Sequence, residues 1–569
     1  MTGVVTATIW NVQGLQETQM DPHYNLLAID ILQEVNRIPT AQLVLLSGGD
    51  QQPFEISDTD FFKPGQKIRI QLRYEEEADE TVFSGLVVKH GIQINRQKTI
   101  LTLYLKDAAI KLTRQRRSAI FREKDDIAII KDILSAAVSQ DQQKNIQDLS
   151  LGTFTPTKTA IAHGEMVQFY CTDWDFILAR AEANGLWVLV SEGEISVQQP
   201  QSLGGQPVTL VYDPGLIYDL EIEADIRDQF EATEAIAWAS PSQALTEAQT
   251  ADEYALELSN LDPAALGPLV GAGQRQLVSG AELVPAEAKA WASAHALKSR
   301  LSMLRGRIRL AGQAGLRVGD ALQLENFGDR FNGTTLITGV RHRVNEAGWQ
   351  TDIQFGLSAA PLATRDDVMA APASGLLPAV QGLQIGIVQQ ADLKDELRVQ
   401  VQIPRLTPTP NLPAEKNDGL LWARLATLEA GLAADGKPGR GTMFRPEKGD
   451  EVILGFLNDD PRQAVILGAL YSDKNKPPVP VAAQNNQRGI FTKEKLKLAF
   501  SDQDKSIRLE TPNTNRIILI DEDGAIYIVD ENNNQLTMNA DGIQISSDQD
   551  ITISAKGNMT LQGKQVDVN

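Results

Sequence analysis

A chain of 569 residues, 42% hydrophobic and 22% charged, has an ordinary globular composition and length for roughly three to five domains. Its 74 acidic against 53 basic residues give a formal charge of −21, a field that disfavours non-specific binding to DNA, RNA or anionic lipid. The one cysteine, Cys171, excludes an internal disulfide framework and fits a reducing compartment. The opening MTGVVTATIW lacks a basic stretch leading into an apolar core, so no signal peptide is expected. No apolar run reaches membrane-spanning length, so folding in a cytoplasm without stable membrane insertion is the expectation.

In the first part of the chain FFKPGQKIRIQLRY, TVFSGLVVKHG and KTILTLYLKD alternate apolar and polar residues between Pro-Gly or Gly breaks, which predicts antiparallel strands. Asp125 to Val138 switches to helical spacing, with Ile129, Ile133 and Leu134 on one side. In CTDWDFILARAEANGLWVLV, Thr172 is placed to cap a helix with Asp175 three residues on. Trp174, Ile177, Leu178 and Ala181 make its apolar stripe, Asn184-Gly185 ends it, and LWVLV opens a buried strand. Another helix is expected from Pro285 to Leu304, and GDALQLENF, GTTLITGVRHRV and GWQTDIQFGLS return to strand alternation.

The Ala/Pro/Gly-rich stretch 371–382 reads as a linker between a region 1–370 and the remainder of the chain. LQIGIVQQ, LRVQVQIP, LWARLATL, DEVILGFL and AVILGALY, within 383–480, have the spacing of a five-stranded OB-like barrel. In the last region, 481–569, apolar residues come in pairs split by one polar residue. These are Ile526/Ile528, Leu536/Met538, Ile543/Ile545, Ile551/Ile553, Met559/Leu561 and Val566/Val568, with start-to-start steps of ten, seven, eight, eight and seven. Eight residues supply one strand and one bend, a single side of a triangular prism, so these twelve side chains are expected on the axis of three intertwined copies. The alternative is a meander folded onto the barrel, but two inward residues per strand make a thin face for a sheet-on-sheet core. The prism would be about 40 Å long, from roughly eight layers at the ~4.8 Å strand spacing. Its last strand edge, at Val566, Val568 and Asn569, is expected to need a separate small capping protein.

Chemistry was sought at several places. GLAADGKP, Gly431 to Pro438, nearly matches a phosphate-binding loop, but Pro438 stands where the hydroxyl residue belongs, and a polar barrel loop is the simpler reading. Cys171 with His163 is read as structural rather than as a catalytic pair. The histidines at 23, 90, 163, 295 and 342 show no metal-ligand spacing, and His342 is read as structural or surface. Asp521, Asp523 and Gly524 lack the third carboxylate of a calcium loop and fit a hairpin turn. EEEADE, Glu75 to Glu80, is read as a solvated loop that could help select a docking partner, and RQRR, Arg114 to Arg117, as local ion pairs. No catalytic, cofactor or metal residue is assigned.

GDEVILGFLNDDPRQAVILGALYSDKNKPP, Gly449 to Pro478, resembles the barrel signature of VgrG-type spike proteins of contractile injection systems. DWDFILARAEANGLWV and GVRHRVNEAGWQTDIQFGLS resemble segments of that family's hub. The resemblance implies a mainly β protein with an α+β hub. It places two hub β-barrels with helical insertions in 1–370, an OB-fold barrel in 383–480 and an intertwined triple-stranded β-helix in 481–569, assembled as a homotrimer. It further implies a hexameric inner-tube protein at the hub, baseplate components, a PAAR-like protein at the tip and effector cargo as partners. The assembly would be part of a particle made in a bacterial cytoplasm and then released or anchored at a membrane. The alternatives are a spike-borne cell-wall hydrolase and a receptor-binding tail fibre.

Overall fold

The structure is a computed structural model; it describes residues 3–568 except 47–53, 76, 95–97, 145, 156–160, 201–205, 240–241, 255–258, 272, 365–371, 392–397, 407–418, 481–482, 514 and 521–523. The chain divides into two compact units, Met1–Ala370 and Ala371–Asn569.

The first unit is organised by one 13-stranded sheet that serves two apolar cores. Along it lie Ile217–Ala224, Leu304–Ala311, Gly348–Phe355, Gly333–Asn345, Asn25–Glu34, Thr40–Leu46, Thr99–Lys106, Glu80–Ile94, Lys67–Tyr74, Val5–Gln13 and Gln16–Gln19. The alternation of KIRIQLRY puts Ile68, Ile70 and Leu72 inward, where they meet Ile9, Ile31, Leu43 and Leu103. Gly333–Asn345 joins the halves: Ile337 and Val340 enter the second core, while Val344 packs against the first. The two cores share this strand and its neighbour Gly348–Phe355, whose Trp349 also enters the first core. Close approach is built in here: a Cβ at Gly312 would lie 2.0 Å from the Trp349 ring.

Two helices and the strands beside them form a third core. The helix Asp126–Gln143 is capped by Asp125, whose carboxylate accepts from the Ala128 N–H, and buries Ile129, Ile130, Ile133 and Leu134. The helix Asp173–Ala183 begins at Thr172, whose hydroxyl accepts from the Asp175 N–H, and buries Trp174, Ile177, Leu178 and Ala181 as the stripe predicts. Gly185 follows at φ +66, and Trp187–Ser191 is the expected strand, buried at Trp187 and Val188. The long helix Pro285–Met303 has Pro285 in its first turn.

In the second unit a closed barrel runs Gln384–Ala391, Arg398–Gln402, Leu420–Leu425, Ala464–Ala469 and Glu451–Phe456 around Val388, Val399, Val401, Ala423, Val452, Leu454 and Ile466. The near-phosphate-loop sequence forms a hairpin arm on it, Ala430–Leu432 against Pro438–Gly441, so the loop reading holds and a strand, not a helix, comes next. After the barrel come seven short strands: Gln487–Phe491, Lys497–Ser501, Ser506–Glu510, Arg516–Ile520, Ala525–Val529, Gln535–Asn539 and Gly542–Ser546. Each pairs antiparallel with the next. This differs from the expected winding. Up to Ser546 the chain supplies its own strand neighbours, because the connecting turns reverse it; Ala540-Asp541, ahead of Gly542 at φ +126, is the tightest. From 547 to 568 no strand is formed.

Candidate functional site: a bare apolar face on the C-terminal sheet

The registers of the seven strands align their apolar residues in two columns. One runs Phe500, Ile507, Leu519, Ile526, Met538, Ile543. The other runs Ile490, Leu498, Leu509, Ile517, Ile528, Leu536, Ile545. Both lie on one face, since strand residues two apart point the same way. The opposite face carries Ala499, Arg508, Ile518, Tyr527, Thr537 and Gln544 in register.

In an ordinary sheet the apolar face is the covered one. Here Phe500, Ile507, Leu509, Ile526 and Ile528 are exposed, and Ile543 and Ile545 reach 71% and 63%. The barrel does not cover this face, so the meander is not folded onto the barrel in the manner of the sequence alternative. Covering such half-exposed side chains is worth about 1 kcal/mol each, and two columns sum to a large driving force for association. Ionic contacts belong to the opposite face: Lys497–Glu510 at 3.1 Å and Arg508–Asp504 at 3.4 Å.

The structure therefore brings six of the twelve sequence-assigned residues onto one face: Ile526, Ile528, Leu536, Met538, Ile543 and Ile545. It does not bring the other six to a strand. Ile551, Ile553, Met559, Leu561, Val566 and Val568 are exposed and have no strand partner among the described residues. Asn569 of the expected tip interface lies outside the described residues. Sequence reasoning missed the upstream half of the columns, Ile490 to Leu519. The alternation was present in KLAF and SIRLE, but the four consecutive apolar residues of RIILI hid it.

The other sequence candidates have ordinary structural partners. His163 Nε2 lies 3.1 Å from Asp126, which also accepts from Arg180 at 2.6 Å and Asn184 at 2.8 Å; Cys171 is not in this network. Burial, joined by the nearby Asp175 charge, pushes the Cys171 thiol up, the wrong direction for a nucleophile. Arg117 pairs with Asp173, its Nε donating at 2.7 Å, as the ion-pair reading expects. Asp79 pairs with Arg73, while Glu75, Glu77 and Glu80 are exposed. His342 is buried, not at the surface, with Nδ1 3.0 Å from the Thr351 hydroxyl. Gly524, at φ +58, precedes Ala525–Val529, but Asp521 and Asp523 lie outside the described residues. Among the described residues no group of three or more His, Cys, Asp or Glu could hold a metal ion, and no helix is long and apolar enough to cross a membrane.

Comparison with known families gives three consecutive matches. Residues 2–346 match the Alg8 N-terminal domain. Residues 384–471 match the type VI secretion system/phage-baseplate injector OB domain, and 506–569 the phage baseplate V C-terminal trimerisation domain. Among solved structures, a tail protein from Neisseria meningitidis MC58 aligns at 14% identity, covering 62% of this chain and 97% of its own, with a TM-score of 0.43. An E. coli type VI secretion component, described as similar to the T4 tail proteins gp27 and gp5, aligns at 13% identity over 82% and 100%, TM-score 0.37. The Francisella PdpA–VgrG complex aligns at 9% identity over 95% and 88%, TM-score 0.39. No curated protein matches the chain.

Proposed function

The chain belongs to the family of the Alg8 N-terminal domain, and it continues into an injector OB domain and a baseplate trimerisation domain as a structural hub-spike protein; from this premise we propose how it works. Three copies associate through the paired apolar columns of 487–546, each sheet forming one side of a prism whose interior is Phe500 to Ile543 and Ile490 to Ile545. Residues 551–568 have no ladder partner among the described residues of their own chain, and unpaired backbone groups need one. They intertwine with the same segment of two other copies, which puts Ile551, Ile553, Met559, Leu561, Val566 and Val568 on the axis. The two pairing modes succeed one another along the spike, hairpin sheets first and wound strands towards the tip.

The role is mechanical and non-enzymatic. Force delivered along the axis must break many strand pairs and apolar layers together, so the prism transmits thrust without unfolding. The hub seats on a hexameric inner tube among baseplate components, and the tip edge at Val566, Val568 and Asn569 takes a PAAR-like cap. Effector cargo and delivery by a particle that is released or membrane-anchored belong to the same reading. The observation that carries it is the bare two-column face, which from Ile507 onwards lies in the segment that matches a trimerisation domain.

The test is a matched pair of substitutions. Ile526→Asp sets three carboxylates in the prism interior, where unpaired charge is very costly, and is expected to abolish the trimer. Thr537→Asp, on the outward face, is expected to leave it intact. Equal behaviour of the two variants sinks the assignment. The hydrolase alternative predicts release of soluble peptidoglycan fragments by the purified protein; this reading predicts none.

A further inference from the structure

Between Phe230 and the long helix Pro285–Met303 the chain carries a small sheet of its own. Ala232–Ala239 is its central strand, with Gln274–Ser279 parallel on one side and the short strands Ala244–Leu245 and Gln249–Thr250 on the other. One face is closed: Ala235 and Leu277, paired in register, pack on Ala288 and Ala292 of the helix. Strand residues alternate, so Glu234, Ile236 and Trp238 point away from the helix. The register sets Gln276 beside Glu234, Val278 beside Ile236 and Leu245 beside Trp238. On this outer face Trp238, Leu245 and Val278 are exposed, while Ile236 between them is buried. A half-covered tryptophan flanked by aliphatic side chains is the composition of an interface centre, not of a solvated surface.

The charge around it is one-sided. Residues 231–284 include eight acidic residues and one basic one, so under a tenth of the chain supplies a third of its net charge of −21. The basic residue is engaged on the other face: Arg275 has the parity of the buried Leu277 and lies 5.2 Å over the Phe230 ring. Glu231 and Glu247 are exposed, and Glu234 accepts from the neutral Gln276 amide at 2.7 Å. Asp252 pairs with Lys289 at 3.0 Å, whereas no described residue forms an ion pair with Glu231, Glu234 or Glu247. Such a field repels phosphate, which excludes nucleic acid and anionic lipid, and a second copy of this chain is itself acidic. An apolar centre among unpaired carboxylates is complementary to a basic protein segment with aliphatic anchors.

We infer that this outer face docks a partner protein of opposite charge through a basic segment with one apolar side. Its aliphatic side chains cover Trp238, Leu245 and Val278, and its lysines or arginines meet Glu231, Glu234 and Glu247. The surface is complete within one copy, so it stands apart from the way the tail associates. The contact is salt-sensitive, because its carboxylates lie at the surface.

The experiment uses the full-length protein and a defined probe, an amphipathic helical peptide of leucine and lysine that carries one benzophenone group. Irradiation followed by peptide mapping locates the probe, whatever else it touches. Cross-links are expected on Ala232–Ala239, Ala244–Leu245 or Gln274–Ser279. Trp238→Ser and Val278→Ser are each expected to lower this labelling roughly tenfold. Val278 is the more exposed of the two, so its variant keeps the test sound if Trp238→Ser unfolds the sheet. Glu234→Lys with Glu247→Lys is expected to abolish the labelling, whereas Glu75→Lys with Glu77→Lys, on the turn after Lys67–Tyr74, leaves it unchanged. A twin peptide with glutamate in place of lysine is expected to label none of these strands. Labelling confined to other regions, the bare tail columns included, overturns the inference and leaves the trimer reading standing. Equal labelling by the glutamate twin, equal labelling of the Val278→Ser protein, or an equal loss from the Glu75 and Glu77 reversals overturns it as well.

Discussion

Asp352 shows how single residues hold the hub together. Its carboxylate is buried between Arg309, which donates at 2.7 Å, and Arg343. Burial pushes its pKa up, but the two guanidinium hydrogen bonds and their charges outweigh that and leave it below the usual carboxylate value. The cluster therefore stabilises fully above the unfolded carboxylate pKa, and its contribution is lost as pH falls through the lower folded value. Asp352→Asn is expected to cost about 2–3 kcal/mol in urea unfolding at pH 7, at the low end for such pairs because both arginines keep partial solvent contact. His342 acts at milder pH. Burial holds its imidazole neutral down to about 4, so the unfolded chain binds the proton first and stability falls as pH drops from about 6.5. His295, also at about 4 and mainly through burial, has the same sign. Asp107, pushed up to about 6 by burial, has the opposite one, taking up its proton more readily when folded. Between pH 7 and pH 5 His342 alone accounts for roughly 2 kcal/mol, so His342→Gln is expected to lose that much less stability than the parent over the same interval. An unchanged pH slope in the variant would refute the assignment.

At the scale of elements, local chemistry decided what could be read in advance. The helix Asp173–Ala183 was legible because its stripe and its cap agree; Thr172→Ala is expected to cost about 1 kcal/mol in thermal or denaturant unfolding. The barrel was legible from five alternating runs, and the C-terminal strands from their paired apolar residues. How those strands pair was not. A step of seven or eight residues fits a hairpin of one strand plus a short turn, and equally one layer of a wound prism, so spacing alone does not separate them. The shared strand of the hub was hidden for a related reason: nothing local in GTTLITGVRHRVN shows that Ile337 and Val340 serve one core and Val344 another. The bulge at Phe169 and Tyr170, where the register of His163–Thr172 against Arg116–Lys124 shifts, gave no signal either, because HGEMVQFYCT has no glycine to mark a break at that point. The difference in pairing along the tail has a direct consequence in hydrogen exchange. Amides in Lys497–Ser501 and Ser506–Glu510 have strand partners in their own chain, whereas those of 551–568 have none among the described residues. Dilution or substitutions that dissociate the trimer are expected to abolish protection at 551–568 while leaving part of it at 497–510. Equal loss in both segments would contradict the two modes of pairing.

Across the whole molecule, the hub has cores of its own and the tail does not. The first unit buries three large apolar clusters, and the barrel a fourth, whereas the sheet after it turns two columns of aliphatic side chains outward. Such a surface on an isolated chain would aggregate, unless its own copies meet it in one fixed geometry. The upstream half of the columns must then matter as much as the half that the sequence revealed. Leu509→Asp is expected to disrupt assembly as severely as Leu536→Asp, read by sedimentation, because both lie in the same column. The most direct measurement is the native mass of the full-length protein over a wide range of concentration. The account predicts a species of three times 62.2 kDa throughout. A single 62.2 kDa chain that stays soluble at every concentration would contradict it, because the bare columns would then need no second and third copy to cover them.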